Sequence, residues 1–421
     1  MPGFQRPTGT LDTLPEEQHY WRHVRAQARR LAELAGFERI DVPIFETTQL
    51  FARGVGEGTD IVDKEMYSFT DKGDRALTLR PEFTAGVVRA YIENGMHVLP
   101  QPVKLYTFGP IFRYEKPQAG RYRQHTQFDV EILGEQDPVA DLEVMLVAWD
   151  VYATLGFHDL GFQLNSTGCP ACKPGYIEGL KAYYAERYED VCEDCRQRLE
   201  RSPLRVLDCK ARGCQAIITQ APNILDHLCD ECDDHFATLR EYLDLLGRTY
   251  TINHRLVRGL DYYTKTVFEV WAAGIGAQSA VCGGGRYDGL AEILGGPPTP
   301  GVGFGSGLER IILVMKDLGV DVPPLPAPKV FLAYLGDAAK RECLRLMDKL
   351  RHSDVSTWVA LGEGRGLRSQ LREADKRGAH YTVILGENEL SSGAATVRDM
   401  KTGEQFDVAL NEFVGYFQKR V

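Results

Sequence analysis

The sequence predicts an α+β fold: a mixed, mainly antiparallel sheet flanked by helices, split by a Cys-rich helical insertion and followed by a small α/β module. Three observations carry that expectation. Helix-period and strand-period segments alternate over the first 160 residues and close on a long antiparallel hairpin. Strand signals return after an interruption between residues 169 and 232 that holds eight of the ten cysteines. The Pro-rich stretch "GVDVPPLPAP" then separates a last segment, in which strands again alternate with helices. The boundaries that follow are 1–165 and 251–318 for the two parts of the main domain and 166–250 for the insertion. Residues 319–328 form a linker, and 329–421 the C-terminal module.

Each element has a local reason. "PEEQHYWRHVRAQARRLAELAGF" places Pro15 where a first helical turn tolerates it, repeats apolar residues at helical spacing, and meets Gly36 as a stop. "RIDVPIFE" reads as a short strand ending near Pro43, and "RALTLR" as another. "PEFTAGVVRAYIENG" is a helix held between Pro81 and Gly95. "VKLYTFGPIFRYE" and "RQHTQFDVEILG" are strands joined by "KPQAGRY", a loop of turn formers and basic residues. Past the insertion, strand signals run from residue 255 through "VGFGS", and "GLERIILVMKDLG" closes the domain as a helix. In the C-terminal module "KVFLAYL", "STWVALG" and "HYTVILG" are strands.

Composition narrows the class. With 43% apolar and 26% charged residues the 421-residue chain reads as soluble and globular. No apolar run has the length of a membrane span, and "MPGFQRPTGTLDTLPEE" shows no basic segment followed by an apolar one. The expectation is a cytoplasmic protein without a membrane. A net charge of −10, from 49 basic and 59 acidic side chains, argues against a general nucleic-acid coat and leaves room for a local basic groove. In a reducing compartment, clustered cysteines point to metal before disulfides.

The chemistry concentrates in a few stretches. "HRLVRGLDYYTKTVFEV" sets Arg258, Asp261, Tyr262 and Tyr263 into a run that otherwise alternates apolar and polar residues. "PIFRYE" carries Arg113 beside Glu115, ahead of the basic loop. "GVGFGSGLERIIL" runs a glycine-rich strand into a helix bearing Glu309 and Arg310. Arginine suits phosphate because its planar fork binds two oxygens and keeps its charge. Alone, each arginine reads as half of a structural ion pair.

In order along the chain, "GFERIDVPIFE", "FRYE" with its basic loop, and "GSGLER" resemble the three signature motifs of class II aminoacyl-tRNA synthetases. "LVRGLDYY" and "GGGRYDGL" resemble the two signatures peculiar to the histidyl-tRNA synthetase family. "TLRPEFTA", "GRYRQHTQFDVEILG" and "PTGTLDTLP" resemble other stretches of that family, so the likeness spans nearly the whole chain.

The resemblance implies ATP-dependent ligation of L-histidine to tRNA(His) through a histidyl-adenylate, by a homodimer that uses Mg²⁺ with ATP. It implies that Glu82, Thr84, Gln127 and Glu131 receive the ammonium and ring of histidine. Tyr262, Tyr263 and Tyr287 would line the imidazole. Arg113 and Arg258 would grip the α-phosphate as catalytic groups, with Arg258 also beside the histidine. Arg310 would take the γ-phosphate end, and Glu115 belongs to the ATP-binding set. A neutral imidazole offers one donor and one acceptor, so a desolvated site that presents both rejects apolar isosteres. No side chain announces itself as a strong base for transfer to tRNA, and the adenylate's own phosphate suits that role.

Two positions depart from the family pattern: Phe83 stands where glycine is usual, and "RQHTQ" places His125 and Thr126 in a stretch that is usually "RQFHQ". For tRNA, the resemblance points to Lys116, Arg121 and Arg123 of the hairpin loop. In an implied C-terminal anticodon-binding domain, Arg365, Arg368, Arg372 and Lys376 recur at helical spacing as a basic stripe. The insertion's "CPAC", "CEDC", "CKARGC" and "CDEC" suggest structural Zn²⁺. By spacing, Cys169, Cys172, Cys192 and Cys195 form one set of four, and Cys209, Cys214, Cys229 and Cys232 a second. The competing function is a synthetase-like regulatory subunit of ATP phosphoribosyltransferase. Such proteins generally lack the anticodon module and degrade the arginines.

Overall fold

The structure, a computed structural model, describes residues 3–118, 120–272, 280–362 and 364–420, so Ala119 of the basic loop lies outside the described residues. The chain divides into two compact units, Met1–Pro323 and Pro324–Val421.

An eight-stranded sheet organises the first unit. Its strands are β1 (Glu38–Arg39), β2 (Val103–Phe112), β3 (Gln124–Leu133), β4 (Gly161–Ser166), β5 (Tyr250–Ile252), β6 (Thr264–Trp271), β7 (Ala280–Arg286) and β8 (Gly301–Gly307). They lie in the order β1-β2-β3-β8-β7-β6-β4-β5. The six central strands pair antiparallel, and only the short edge strands β1 and β5 pair parallel. The expected hairpin is β2–β3, registered from Val103↔Leu133 to Phe112↔Gln124. Strands from both sides of the insertion share this sheet, because β4 ends where the insertion begins and β5 pairs beside it.

Alternation gives the sheet two unlike faces. Phe128, Val130, Ile132, Phe162, Phe268 and Phe304 form a core with the helices Gln18–Leu34, Pro138–Thr154 and Leu308–Asp317. On the opposite face the helix Thr84–Glu93 covers one end, through Val87, Val88 and Tyr91 packed on Leu105 and Leu133. The rest of that face carries the polar residues considered below.

"RIDVPIFE" does not form one strand. Glu38–Arg39 joins the main sheet, while Phe45–Thr47 pairs with Ala76–Leu79 in a separate three-stranded sheet. Pro43 has no N–H for a ladder, and Arg80 takes the free carbonyls of Val42 and Pro43 at 2.7 and 3.2 Å. The insertion is helical (Lys173–Ala185, Glu193–Arg201, Asp230–Leu245) around its own core of Tyr176, Leu180, Tyr184, Leu199 and Ile218.

The second unit has a five-stranded sheet of β9 (Val330–Tyr334), β10 (Thr357–Val359), β11 (Tyr381–Leu385), β12 (Ala394–Asp399) and β13 (Gln405–Ala409), in the order β10-β9-β11-β12-β13. The three expected strands pair parallel; β12 and β13 add an antiparallel hairpin that the sequence reading missed.

Candidate active site

β3 supplies the polar face. Phe128, Val130 and Ile132 enter the core, so Gln127, Asp129 and Glu131 turn to the other side. Across from them in β8 stand Gly307, Gly305 and Gly303. A methyl on Gly303 would lie 1.7 Å from Glu131 Oε2, and one on Gly301 would lie 2.2 Å from the Tyr287 ring. In β7, a methyl on Gly283 would meet the Arg258 guanidinium at 2.4 Å, and one on Gly285 the Tyr263 ring at 2.9 Å. The glycines of "CGGGR" and "GVGFGSG" are therefore a floor. Charged and aromatic side chains lie flat across Gly283, Gly285, Gly301 and Gly303, and a Cβ at any of these four would lift those side chains away.

On this floor the residues expected to receive the histidine substrate come together. Tyr287 donates its hydroxyl to Glu131 Oε2 at 2.5 Å, and Thr84 donates to Glu131 Oε1 at 2.7 Å. Tyr262 donates to Glu82 Oε2 at 3.5 Å, and Glu82 Oε1 accepts the N–H of Ala85 at 2.9 Å. The Tyr262 ring lies 4.8 Å from Tyr263 and 5.7 Å from Tyr287. Glu82, Asp129 and Glu131 are all buried. Burial pushes the Glu131 carboxyl up to about 8, against the lowering effect of its Tyr287 and Thr84 hydrogen bonds. Burial also raises Asp129, and its neighbours Glu131 and Glu82 raise it further. Burial takes the Tyr263 phenol up to about 12. Carboxyls so crowded favour a cationic group among them. Gln127 lines the same face, with Oε1 buried and unpartnered within the protein.

Cations border this pocket. Arg113 falls one residue past the end of β2, not within it; its N–H still reaches Arg123 O at 2.9 Å and its Nε donates to Pro81 O at 2.8 Å. Arg258 lies on the loop before β6 and pairs with Glu269 at 2.6 Å; the side chains are 25% and 19% exposed. Glu269 also accepts the indole N–H of Trp271 at 2.9 Å. Arg310 sits in the first turn of the helix Leu308–Asp317, where burial lowers its pKa, as does Arg121 nearby. Glu309, beside it, ties that helix to β3 by accepting the N–H of Thr126 at 2.8 and 3.0 Å.

The departures from the family pattern now have physical reasons. Phe83 is buried with Val87 and Ile111 beneath the Arg80 guanidinium, 4.1 Å from its ring, so it packs the core behind the pocket. Thr126 serves through its backbone, and the His125 ring sits 3.1 Å from Tyr122 O. Asp129 and Glu269 were missed. Asp129 was legible, because it shares the period of two with Gln127 and Glu131. Glu269 was the lone acid in "TVFEV".

The residues expected to meet tRNA are more scattered. Lys116 and Arg121 are exposed, but Arg121 pairs with Glu115 at 3.6 Å. Arg123 is tied inward, 3.7 Å above the Tyr114 ring and donating to Glu115 O at 3.2 Å. In the second unit Arg368, Arg372 and Lys376 form an exposed stripe on the helix Leu367–Lys376. Arg365 does not belong to it. It precedes the helix and is held by Glu373 at 2.5 Å and Leu361 O at 2.9 Å.

The cysteine grouping also needs correction. The tetrads are Cys169, Cys172, Cys229 and Cys232, and Cys192, Cys195, Cys209 and Cys214. The pairs nest, first with last and second with third. The first pair follows β4 directly and the last begins the helix that leads to β5, so the pairing of those two strands brings them together.

An antiparallel sheet with motif arginines beside a polar floor and a glycine strand running into an Arg-bearing helix defines a class II aminoacyl-tRNA synthetase. Residues 9–311 match the family model described as histidyl-tRNA synthetase, and 329–420 match an anticodon-binding domain. A protein named histidine–tRNA ligase from Dehalococcoides mccartyi is 50% identical over 418 residues, 99% of this chain and 100% of its own. One from Desulforamulus reducens is 49% identical, covering 99% of each. The crystal structure of apo S. aureus histidyl-tRNA synthetase superposes with a TM-score of 0.83 at 38% identity, covering 99% of this chain and 100% of that one. The chain belongs to the histidyl-tRNA synthetase family.

Proposed function

We propose that this chain activates L-histidine with ATP and transfers it to tRNA(His), with the chemistry on the glycine floor of β7 and β8. The observation that carries this is the juxtaposition of buried carboxyls (Glu82, Glu131) with three phenols (Tyr262, Tyr263, Tyr287), bordered by arginines. The ammonium of histidine goes to the carboxyls, and the imidazole finds both a donor and an acceptor among phenols and carboxyl. An apolar isostere leaves those groups unpaired, which is a strong basis for rejection. Thr84 and Gln127 complete the pocket.

In the first step the histidine carboxylate attacks the α-phosphorus of ATP and pyrophosphate leaves. Arg113 and Arg258 hold the α-phosphate from two sides, where negative charge builds in the transition state. Arg310 and Glu115 position the nucleotide. Mg²⁺ bound with the ATP phosphates would supply further charge neutralisation there. Among the described residues the only clusters with metal-ligand spacing are thiolate tetrads, which suit a soft ion and not Mg²⁺. In the second step the terminal ribose hydroxyl of tRNA attacks the activated carbonyl, with the adenylate phosphate taking the proton. Lys116 and Arg121 meet the acceptor end, with Arg123 holding their loop from within, and Arg368 and Arg372 meet the anticodon end, with Arg365 bracing their helix through Glu373. Structural Zn²⁺ on the insertion's cysteines completes the cofactors. The protein works as a cytoplasmic homodimer; no described helix is long and apolar enough to cross a membrane.

The regulatory-subunit alternative accounts for less, because Arg113, Arg258 and Arg310 are retained and an anticodon module follows. Histidine-dependent ATP–pyrophosphate exchange, with charging of tRNA(His), is the test. Exchange that is absent, or equal with other amino acids, refutes the proposal. Light scattering near the 47.2 kDa of one chain refutes the dimer.

A further inference from the structure

We infer that the eight insertion cysteines hold two zinc ions in separate tetrathiolate sites, and that the outer site positions the Tyr263 wall of the histidine pocket. The second half rests on the proposed role of Tyr263 in binding histidine.

The sulfur geometry carries the first half. Four ligands at the usual Zn–S length of about 2.3 Å define a tetrahedron with edges of about 3.8 Å. The outer tetrad has Sγ–Sγ distances of 3.8 Å (Cys169–Cys172), 3.7 Å (Cys169–Cys229) and 3.8 Å (Cys172–Cys232). In the inner tetrad Cys192 and Cys209 are 3.7 Å apart, and within each tetrad all ligand atoms lie within 4.8 Å of one another. Disulfides would need about 2.05 Å. Backbone N–H groups also point at sulfur: Ala171 to Cys169 at 3.4 Å, Ala211 to Cys209 at 3.4 Å and Cys192 to Cys214 Sγ at 3.3 Å. Such donors favour the thiolate form that a metal requires. Thiolate ligands in a tetrahedron select zinc over harder ions.

The outer site is built into the pocket wall from both of its knuckles. From the first knuckle, Lys173, next to Cys172, donates to Tyr263 O at 2.7 Å, and Thr167 Oγ1 donates to the same oxygen at 3.2 Å. The Lys265 N–H reaches Gly168 O at 2.8 Å, and Lys265 O accepts the Thr167 N–H at 2.7 Å. From the last knuckle, Glu231, between Cys229 and Cys232, accepts the Lys265 ammonium at 2.8 Å. Lys265 holds φ at +48°, a left-handed conformation that costs energy in any residue with a Cβ and that these bonds maintain. Gly168, at φ +65°, is the hinge between strand and knuckle; a methyl there would stand 2.8 Å from Cys172 Sγ. Segment 263–265 is thus clamped by two knuckles that a shared ion would fasten at their tips, in front of the Tyr176–His227 ring contact and the β4–β5 pairing that bring them together. The inner tetrad makes no such bond to this segment among the described residues.

Metal content of the full-length protein purified without added metal, with ¹¹³Cd NMR of the cadmium-substituted form, tests the sites. About two zinc per chain and two tetrathiolate resonances are expected. One metal, none, or iron overturns the two-zinc assignment. Histidine affinity by equilibrium dialysis tests the coupling. C169S/C229S loses one resonance and weakens histidine binding about tenfold or more, because displacing a wall of the pocket is severe at ångström scale. C209S/C214S loses the other resonance with affinity held within about twofold. Lys173→Met guards against misfolding, since it retains all eight thiols and both metals and still weakens binding. Unchanged affinity in both C169S/C229S and Lys173→Met overturns the coupling. Tyr263→Phe separates the two ideas: if it leaves histidine affinity unchanged, the pocket assignment falls and the metal sites stand.

Discussion

Arg258→His discriminates most sharply between a structural and a catalytic arginine. In the structure this guanidinium pairs with Glu269 at 2.6 Å, so a stability role is certain to contribute. Breaking a fully buried pair costs about 3–5 kcal/mol; with these side chains 25% and 19% exposed, and Glu269 keeping the Trp271 N–H, about 1–2 kcal/mol is expected. In a unit as large as Met1–Pro323 that lowers Tm by only about 1–3 °C. If the guanidinium also faces the α-phosphate, adenylate formation falls about 10²–10³-fold, or about 2.7–4 kcal/mol of transition-state stabilisation. Histidine and ATP affinities change far less, because the interaction strengthens only as charge develops. Single-turnover adenylate formation at a temperature well below the melting transition measures the rate, beside Tm and histidine affinity. Glu269→Gln is the control: it breaks the same ion pair and lowers Tm while leaving the arginine in place, so adenylate formation stays within about tenfold of the parent. Equal rate losses in the two variants, or near-normal adenylate formation in Arg258→His, would return Arg258 to a structural role.

Three further expectations address other parts of the site. The Glu131 carboxyl is raised to about 8 from 4.5, so the folded unliganded protein binds the extra proton and loses stability as pH rises between those values; Glu131→Gln flattens that slope in melting curves, and an unchanged slope refutes the assignment. Gly303→Ala forces a methyl to within 1.7 Å of Glu131 Oε2 and 2.5 Å of the Val130 carbonyl, so it should cost about 1–3 kcal/mol and abolish histidine binding; near-parental Tm and affinity would sink the floor argument. Arg372→Ala should weaken tRNA binding and reduce the salt slope by about 0.7–0.9 while sparing pyrophosphate exchange; an unaltered slope removes Arg372 from the interface.

Much of this was written locally. The hairpin β2–β3, the helices after Pro15 and Pro81, and the parallel strands of the second unit follow from apolar periodicity bounded by glycine and proline. The motif residues were legible for a related reason. Chemistry that needs a glycine floor, an arginine fork or a buried carboxyl leaves few residue types acceptable, so Glu131, Arg258, Tyr263 and the glycines of β8 stand out against their neighbours. Asp129 could have been added by counting two residues either way.

Other features depend on which distant segments meet, and sequence spacing carries little of that. Cysteine spacing pointed to Cys169 and Cys172 with Cys192 and Cys195, yet the tetrads nest, because β4 and β5 pair side by side and draw the ends of the insertion together. Helical spacing placed Arg365 with Arg368, yet Gly366 starts the helix after it and Glu373 captures its guanidinium. Glu269 became the partner of Arg258 only through the fold of the loop onto β6, and Glu115 became the partner of Arg121 through the turn of the hairpin. Local propensity and residue chemistry act over a few positions and survive in any context. An ion pair or a metal tetrad is decided by chain crossings tens of residues apart, where only the packed sheet sets the distance.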